Sequence, residues 1–258
     1  MKGKTIFITG ATSGIGEGCA RKFAAMGSNL ILNGRNTEKL ESLKKELTAQ
    51  GVEVLTLPFD VRDRKAMQQA VDSLQDQWKH VDVLINNAGL VIGMDKEHEG
   101  SLDEWDIVID TNIKAFLAMT RLIVPGMVKR GCGHVINIGS IAGDAAYAGG
   151  SVYCATKAAV KALSDGLRID LVDTPVRVTN IKPGMVETNF SVIRFRGDQD
   201  KADAVYKGIR PLTGDDIADV VYYAASAPAH VQIAEVLVMP TYQATGTVCH
   251  RQEQAARH

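Results

Sequence analysis

The chain has 258 residues, 45% of them hydrophobic and 23% charged, with 29 basic against 30 acidic side chains. A net charge of −1 provides no field for nucleic acid or an anionic membrane surface, and no apolar run approaches the ~20 residues of a membrane-spanning helix. This length suits one α/β unit whose core needs no disulfide staples.

Short β-branched runs alternate with helical periodicity along the chain. Residues 5–9 read as a first strand and 15–26 as a helix that Gly27 ends. A strand over 29–33 precedes a charged helix over 37–50, with Leu40, Leu43 and Leu47 at core-facing spacing. Residues 52–57 form a third strand, 64–79 a helix and 81–86 a fourth strand. Ser101-Leu-Asp-Glu104 has the form of a capping box and opens a long helix to about 129, with a kink expected at Pro125. A fifth strand over 134–138, a helix over 152–172 and a sixth strand over 176–181 follow. Residues 183–200 read as irregular, 201–208 and 215–225 as helical, and 234–238 as a seventh strand. Strands alternating with helices predict a doubly wound, Rossmann-like parallel sheet of seven strands in a three-layer α/β/α sandwich. We read 1–258 as one domain, with an irregular substrate loop at about 184–212. In such sheets ligands sit beyond the carboxyl ends of the strands.

The first strand runs into Thr9-Gly10-Ala11-Thr12-Ser13-Gly14-Ile15-Gly16 and then a helix. Gly10 lets the chain turn, Gly14 lets backbone approach a pyrophosphate, and Gly16 lets the helix pack closely on the strand. The helix N-terminus supplies free N–H groups and a dipole suited to phosphate. Glu17-Gly18 follows instead of Lys-Ser/Thr, which excludes a P-loop. Gly10, Thr12, Ser13, Gly14, Ile15 and Gly16 are therefore candidate dinucleotide contacts. The second strand ends in Asn33-Gly34-Arg35, with no acid to bind a ribose diol. Arg35 suits a 2′-phosphate, which favours NADP over NAD. Asp60 and Val61 after the third strand, and Asn87, Ala88 and Gly89 after the fourth, complete the cofactor side. Asp60 offers an acceptor to adenine, and Asn86 and Asn87 offer amides that cross-link strand ends.

The fifth strand ends at Ser140, and Tyr153 and Lys157 stand four apart on one helix face. A nearby lysine cation is expected to lower the tyrosine pKa from ~10, and Ser140 to polarise a substrate carbonyl. Asn112, in mid-helix, is expected to hold a water that relays protons from Lys157.

These motifs, with Pro183-Gly184, resemble those of the classical short-chain dehydrogenases and reductases over the whole chain. The resemblance implies that Tyr153 is the catalytic acid/base, Lys157 its modulator and ribose anchor, Ser140 the polarising hydroxyl, and Asn112 the fourth member. It adds Pro183, Gly184, Val186 and Thr188 to the nicotinamide side. Within that family the chain is similar to the branch of NADP-dependent 3-hydroxy acid dehydrogenases acting on serine and allo-threonine, through Gly139–Gly143, 190–198 and the ending Met239-Pro240…His250-Arg251. A reductase of 3-oxoacyl thioesters is the alternative enzyme. A non-catalytic NADP-binding protein is less consistent with an intact Tyr153/Lys157 pair.

For the substrate, Tyr147 can wall the pocket, and Arg194 or Arg196 can grip a carboxylate unless they pair with Asp198, Asp200 or a cofactor phosphate. Asp144 is expected to be solvated. Cys19, Cys132, Cys154 and Cys249 fit neither a disulfide framework nor a zinc site. The N-terminus lacks the apolar stretch and cleavage site of a secretory signal. A cytoplasmic, metal-free enzyme is expected, with a small-molecule substrate, no nucleic-acid or membrane partner, and, by family resemblance, a homotetrameric assembly.

Overall fold

A computed structural model describes residues 1–252. Seven strands form one parallel sheet in the order β3-β2-β1-β4-β5-β6-β7. They are β1 (Thr5–Ile8), β2 (Asn29–Gly34), β3 (Val54–Pro58), β4 (Val83–Asn86), β5 (Gly133–Ile138), β6 (Val176–Pro183) and β7 (Glu235–Val238). The helices are α1 (Gly14–Ala25), α2 (Thr37–Thr48), α3 (Arg64–Asp72), α4 (Asp76–Lys79), α5 (Leu102–Ile109), α6 (Phe116–Arg130), α7 (Ser151–Asp170), α8 (Phe190–Arg194), α9 (Gln199–Ala204) and α10 (Gly214–Ser226).

The layers follow from the two-residue period of a strand. In β1, Ile6 and Ile8 face a core that includes Phe23 of α1, Leu40 of α2 and Val221 of α10. Phe7 faces the opposite core, with Met67 of α3 and Met119 and Met127 of α6. Burying one such side chain contributes roughly 1.5–3 kcal/mol, which explains why all four residues of β1 are buried. β2 and β3 are added on one side of β1, and β4 to β7 on the other. The winding thus reverses between β1 and β4, and their C-terminal ends frame the crevice where such folds bind ligands.

Three boundaries depart from the expected ones. The helix expected over 64–79 is two helices. Ser73 Oγ donates to the Ala70 carbonyl at 2.9 Å, a local bond that competes with helix continuation, and Leu74 and Trp78 turn into the core. The long helix from Leu102 continues past Pro125, which lies inside α6, but it is not uniform. Its irregularity is a π-helical stretch over Asp110–Ala115. The capping box is half formed: Ser101 Oγ accepts from Glu104 N–H at 3.4 Å, while the Glu104 carboxylate accepts from Arg196. The segment read as irregular over 183–200 contains α8, while the helix expected from 201 is α9, which starts two residues earlier and is capped by Asp198.

His134 on β5 is a titratable group inside this sheet. Its Nε2 lies 2.7 Å from Thr179 Oγ1, and that hydroxyl donates to the Ile233 carbonyl at 2.6 Å. The hydroxyl proton is thereby used, so Nε2 carries the imidazole proton and donates. Nδ1 has no partner among the described residues. Burial, with Arg177 nearby, pushes the pKa down to about 3. The unfolded chain therefore binds a proton that the folded chain refuses, from near pH 6.5 downward, and stability falls with pH across that window. Thermal unfolding of the wild type and a His134→Gln variant at pH 7 and pH 5 should show the wild type losing more stability on acidification. Equal losses would contradict this account.

Candidate active site

The loops after β1 and β4 are tied together before any ligand is considered. Thr9 Oγ1 accepts from the N–H groups of Asn87 and Ala88, both at 3.0 Å. Asn87 Nδ2 donates to the carbonyls of Thr9 and Gly10 at 2.9 and 3.0 Å. Gly10 takes φ +65°, and a Cβ at Gly16 would stand 2.3 Å from the Gly10 carbonyl oxygen. Gly14 has a positive φ of +55° and lines the cavity. Its missing Cβ makes room for the Thr188 side chain, 2.8 Å away. Ser13 begins α1 with its hydroxyl making no cap bond, so hydroxyl and helix N-terminus face the crevice unused. Asn86 extends the cross-linking to the next strand, donating to Asn137 Oδ1 at 3.0 Å.

A cavity of about 480 Å³ runs along these strand ends, from Arg35 to Arg194. At its adenine end the Arg35 side chain is 63% exposed, and its nearest acid, Asp60, is 4.0 Å away. Asp60 is bound instead by Arg62, at 2.7 Å, and that hydrogen bond holds its carboxyl below the usual range despite burial. Arg62 also lines the cavity. The sequence reading missed it, although an Asp-x-Arg spacing after a strand is a signal for such a pair. Both cations stand where a phosphorylated ribose would be received, and Gly10, Ser13 and Gly14 line the same cavity. The residues therefore fit a phosphorylated dinucleotide.

Tyr153 and Lys157 come together on α7, the Lys157 Nζ lying 5.9 Å from the Tyr153 ring centroid. Both are buried. Lys157 Nζ donates to the Ile138 carbonyl at 2.9 Å, and burial pulls its pKa down to about 8. Burial likewise pushes the Tyr153 phenol above its ordinary value, Tyr147 adds to the rise, and a Ser140 hydrogen bond and the Arg194 charge oppose it. The expected lowering by Lys157 is thus not what this geometry produces. Desolvation wins, and the opposing cation is Arg194. Ser140 stands at the end of β5, where its Oγ accepts from Ala142 N–H at 3.1 Å and starts a short 3-10 turn over Ile141–Gly143.

Asn112 is held by three hydrogen bonds. Its Oδ1 accepts from Leu90 N–H at 2.9 Å, and its Nδ2 donates to the Leu90 carbonyl at 2.9 Å and to Thr156 Oγ1 at 3.0 Å. Both amide protons are committed, so the side chain bolts the loop after β4 to α7, while Oδ1 keeps a second lone pair. Tyr206 donates to the Val186 carbonyl at 2.9 Å, which keeps a second lone pair. Thr188 Oγ1 accepts from Phe190 N–H at 3.2 Å. Pro183 and Gly184 line the cavity, and Gln243, missed by the sequence reading, accepts from Met185 N–H at 2.8 Å behind them.

At the substrate end the two arginines part. Arg194 points in: its guanidinium stacks 5.3 Å from the Phe190 ring centroid and 5.8 Å from that of Tyr153. Its Nη2 donates to the Tyr147 hydroxyl at 3.2 Å, and its buried Nε has no partner among the described residues. Arg196 points away and pairs with Glu104 at 2.8 Å and with Asp95, not with Asp198 or Asp200. Phe190, unforeseen, packs on Tyr153 at 5.5 Å. Asp144 is not merely solvated but ion-paired to Lys182 at 2.7 Å.

A family model described as short chain dehydrogenase matches residues 4–198. An NADP-dependent 3-hydroxy acid dehydrogenase of Salmonella typhi is 48% identical over 95% of this chain and 99% of its own. A sulfoacetaldehyde reductase of Chromohalobacter salexigens is 44% identical over 93% of this chain and 95% of its own. The solved closed form of serine dehydrogenase complexed with NADP+ superposes with a TM-score of 0.90 at 45% identity, covering 96% of this chain and all of that one. Among the described residues, no helix is long and apolar enough to cross a membrane.

The tightness of the glycine cradle is testable against an internal control. Forcing a methyl into a packed site costs roughly 1–3 kcal/mol, so Gly16→Ala should lower the melting temperature and weaken NADPH binding. Gly166 in α7 has nothing within 4 Å of a built Cβ. Gly166→Ala should therefore keep or raise stability, as alanine favours helix. Equal melting temperatures for the two variants would contradict the packing argument.

Proposed function

Since the chain belongs to the short-chain dehydrogenase family, we propose that it is an NADP-dependent oxidoreductase that exchanges a hydride with the hydroxyl-bearing carbon of a short 3-hydroxy acid of the serine, allo-threonine or 3-hydroxypropionate type. The observation that carries the substrate class is Arg194, a half-buried arginine whose Nε is buried and unpartnered among the described residues, standing over the Tyr153 ring and bonded to Tyr147. A carboxylate satisfies such a fork with two charge-assisted bonds. An uncharged 3-oxoacyl thioester would leave that buried donor unanswered, which a site penalises heavily.

Bound NADP(H) supplies or accepts the hydride. Gly10 and Gly14, on the cavity wall, back its pyrophosphate with Thr12, Ser13 and Ile15 along the same loop, and Gly16 packs α1 tightly beneath them. Arg35 and Arg62 receive the 2′-phosphate end, beside Asp60 and Val61. Asn87, Ala88 and Gly89 back the ribose, and Pro183, Gly184, Val186 and Thr188 the nicotinamide side. Ser140 polarises the carbonyl or hydroxyl oxygen. Tyr153, held neutral near pH 7, donates a proton to that oxygen in reduction and must first lose its own in oxidation. Lys157, with a pKa near 8, is suited to pass protons at the same pH while anchoring the ribose. Asn112 positions the Leu90 loop and α7 around them.

The whole chain acts as one unit on a small-molecule substrate. A cytoplasmic location is supported by cysteines that are all free. A homotetramer is supported by large apolar side chains left in water, Leu102 at 72%, Ile169 at 71% and Val172 at 83% exposure.

The charge on Arg194 gives the test. A hydrogen bond to a charged group is worth roughly 1.5–3 kcal/mol, about 10- to 150-fold. Arg194→Met should raise KM for 3-hydroxypropionate and L-allo-threonine by that order and leave KM for NADP unchanged. Turnover of a 3-oxoacyl thioester with none of either hydroxy acid would overturn the substrate class.

A further inference from the structure

Behind the Ser140 turn, a chain of polar side chains joins β6 to β7. Lys182 Nζ lies 2.7 Å from Asp144 Oδ2 and 2.7 Å from Glu235 Oε1, on a side chain only 6% exposed. Asn180 is two residues earlier on the same strand, hence on the same face. Its register partner on β7 is Glu235, and its Nδ2 donates to Glu235 Oε2 at 3.3 Å. Asn180 also presses on Gly139, where a Cβ would stand 2.4 Å from its Oδ1, and Gly139 N–H donates to the Ile181 carbonyl at 2.7 Å.

The Ser140 turn is therefore gripped at both ends by β6. Gly139, just before Ser140, is held against Asn180 and Ile181. Asp144, just after the 3-10 turn, is held by Lys182. Glu235 links the two grips. Lys182 is itself followed directly by Pro183, the first residue of the nicotinamide-side turn. None of Asp144, Asn180, Lys182 or Glu235 is among the residues lining the cavity. A lysine withdrawn from water between two acids adds little stability over an apolar side chain of the same size. What it does add is a fixed geometry between two loops that meet at the reacting centre.

We propose that Lys182 is a positioning residue for catalysis: through Asp144 and Glu235 it locks the Ser140–Asp144 turn to β6 and so sets the Ser140 hydroxyl against Tyr153 and the Pro183–Gly184 turn. This rests on the reading of Ser140 as the hydroxyl that polarises the substrate. The lock has a spectroscopically silent but kinetically visible consequence. The Ser140 hydrogen bond is one of the influences that lower the Tyr153 pKa against burial. The other titratable or charged groups around the phenol are Lys157 on α7, Arg194 on α8, and Tyr147 and Cys154. Lys182 bonds to none of them and reaches the phenol only through the turn. If the turn drifts, the alkaline rise in oxidation rate moves to higher pH.

The experiment compares full-length Ser140→Ala, Lys182→Met, Lys182→Arg and Asp144→Asn variants. It measures kcat and KM for 3-hydroxypropionate or L-allo-threonine across pH, and NADPH binding by the coenzyme's fluorescence. A displacement of the order of an ångström at the reacting atoms costs up to about a hundredfold. Lys182→Met and Asp144→Asn should therefore lower kcat by about 10- to 100-fold, shift the rise in rate to higher pH, and leave NADPH binding unchanged. Lys182→Arg should recover most of kcat. The proposal is overturned if Lys182→Met keeps the wild-type kcat and pH profile, if NADPH binding falls along with kcat, or if arginine rescues no better than methionine. Should Lys182→Met fail to fold, Asp144→Asn, which leaves Lys182 paired with Glu235, carries the same expectations. An unchanged kcat in Ser140→Ala removes the role of Ser140 itself, an outcome distinct from failure of the lock.

Discussion

The Lys157 side chain leaves α7 and ends in a buried ammonium that donates to the Ile138 carbonyl, 2.9 Å away at the end of β5. Removing an ammonium from water costs several kcal/mol unless partners replace the lost hydration, and a single neutral carbonyl replaces little of it. The lysine is accordingly brought down to about 8, and the same burial raises the Tyr153 phenol beside it. Desolvation of this pair is the constraint that organises the site. In the proposed reaction it sets which proton moves, and it requires that the surrounding loops exclude water without flooding the pair with opposite charge.

The loops meet that requirement by being fastened to rigid elements. Thr9 and Asn87 join the first and fourth strand ends. Asn112 joins the loop after β4 to α7 through Leu90 and Thr156, and the π-helical stretch that carries it is a small irregularity of the kind that gathers at functional sites. The segment after β6 is held from two sides, by Tyr206 on the Val186 carbonyl and by Arg196 on Glu104 and Asp95. Arg196 keeps a left-handed φ of +54°, a conformation that non-glycine residues hold only where the surroundings compel it. Its reward is the orientation of Arg194, two residues earlier, whose carbonyl is pinned by Gly93 N–H at 2.8 Å.

The parts of this arrangement that were legible in the sequence are those set locally. The strand runs, the Gly10/Gly16 spacing and the Tyr153/Lys157 pair each depend on a few neighbouring residues, and each has its expected place. What was illegible depends on partners far along the chain. Arg194 and Arg196 look equivalent in sequence, and only the meeting of their loop with Glu104 and Asp95 separates them. Asp144 looks like a solvated loop acid until β6 delivers Lys182. Nothing near Asn112 in the chain announces the Leu90 and Thr156 groups that take its amide protons. The sign of the Tyr153 shift was misjudged because adjacency to Lys157 is visible in a heptad's worth of sequence, whereas burial is not.

The central claim is that a buried, proton-bearing Tyr153 moves the proton in this reaction. The most direct measurement is kcat for 3-hydroxy acid oxidation across pH 7 to 10, in the wild type and in Tyr153→Phe, with NADPH binding measured alongside. The account predicts a wild-type rate that climbs toward alkaline pH as the phenol ionises, and a phenylalanine variant that still binds NADPH but loses about 10²- to 10⁴-fold in rate, the usual range for a lost general acid–base. A Tyr153→Phe enzyme that keeps the wild-type rate and its alkaline rise would contradict it.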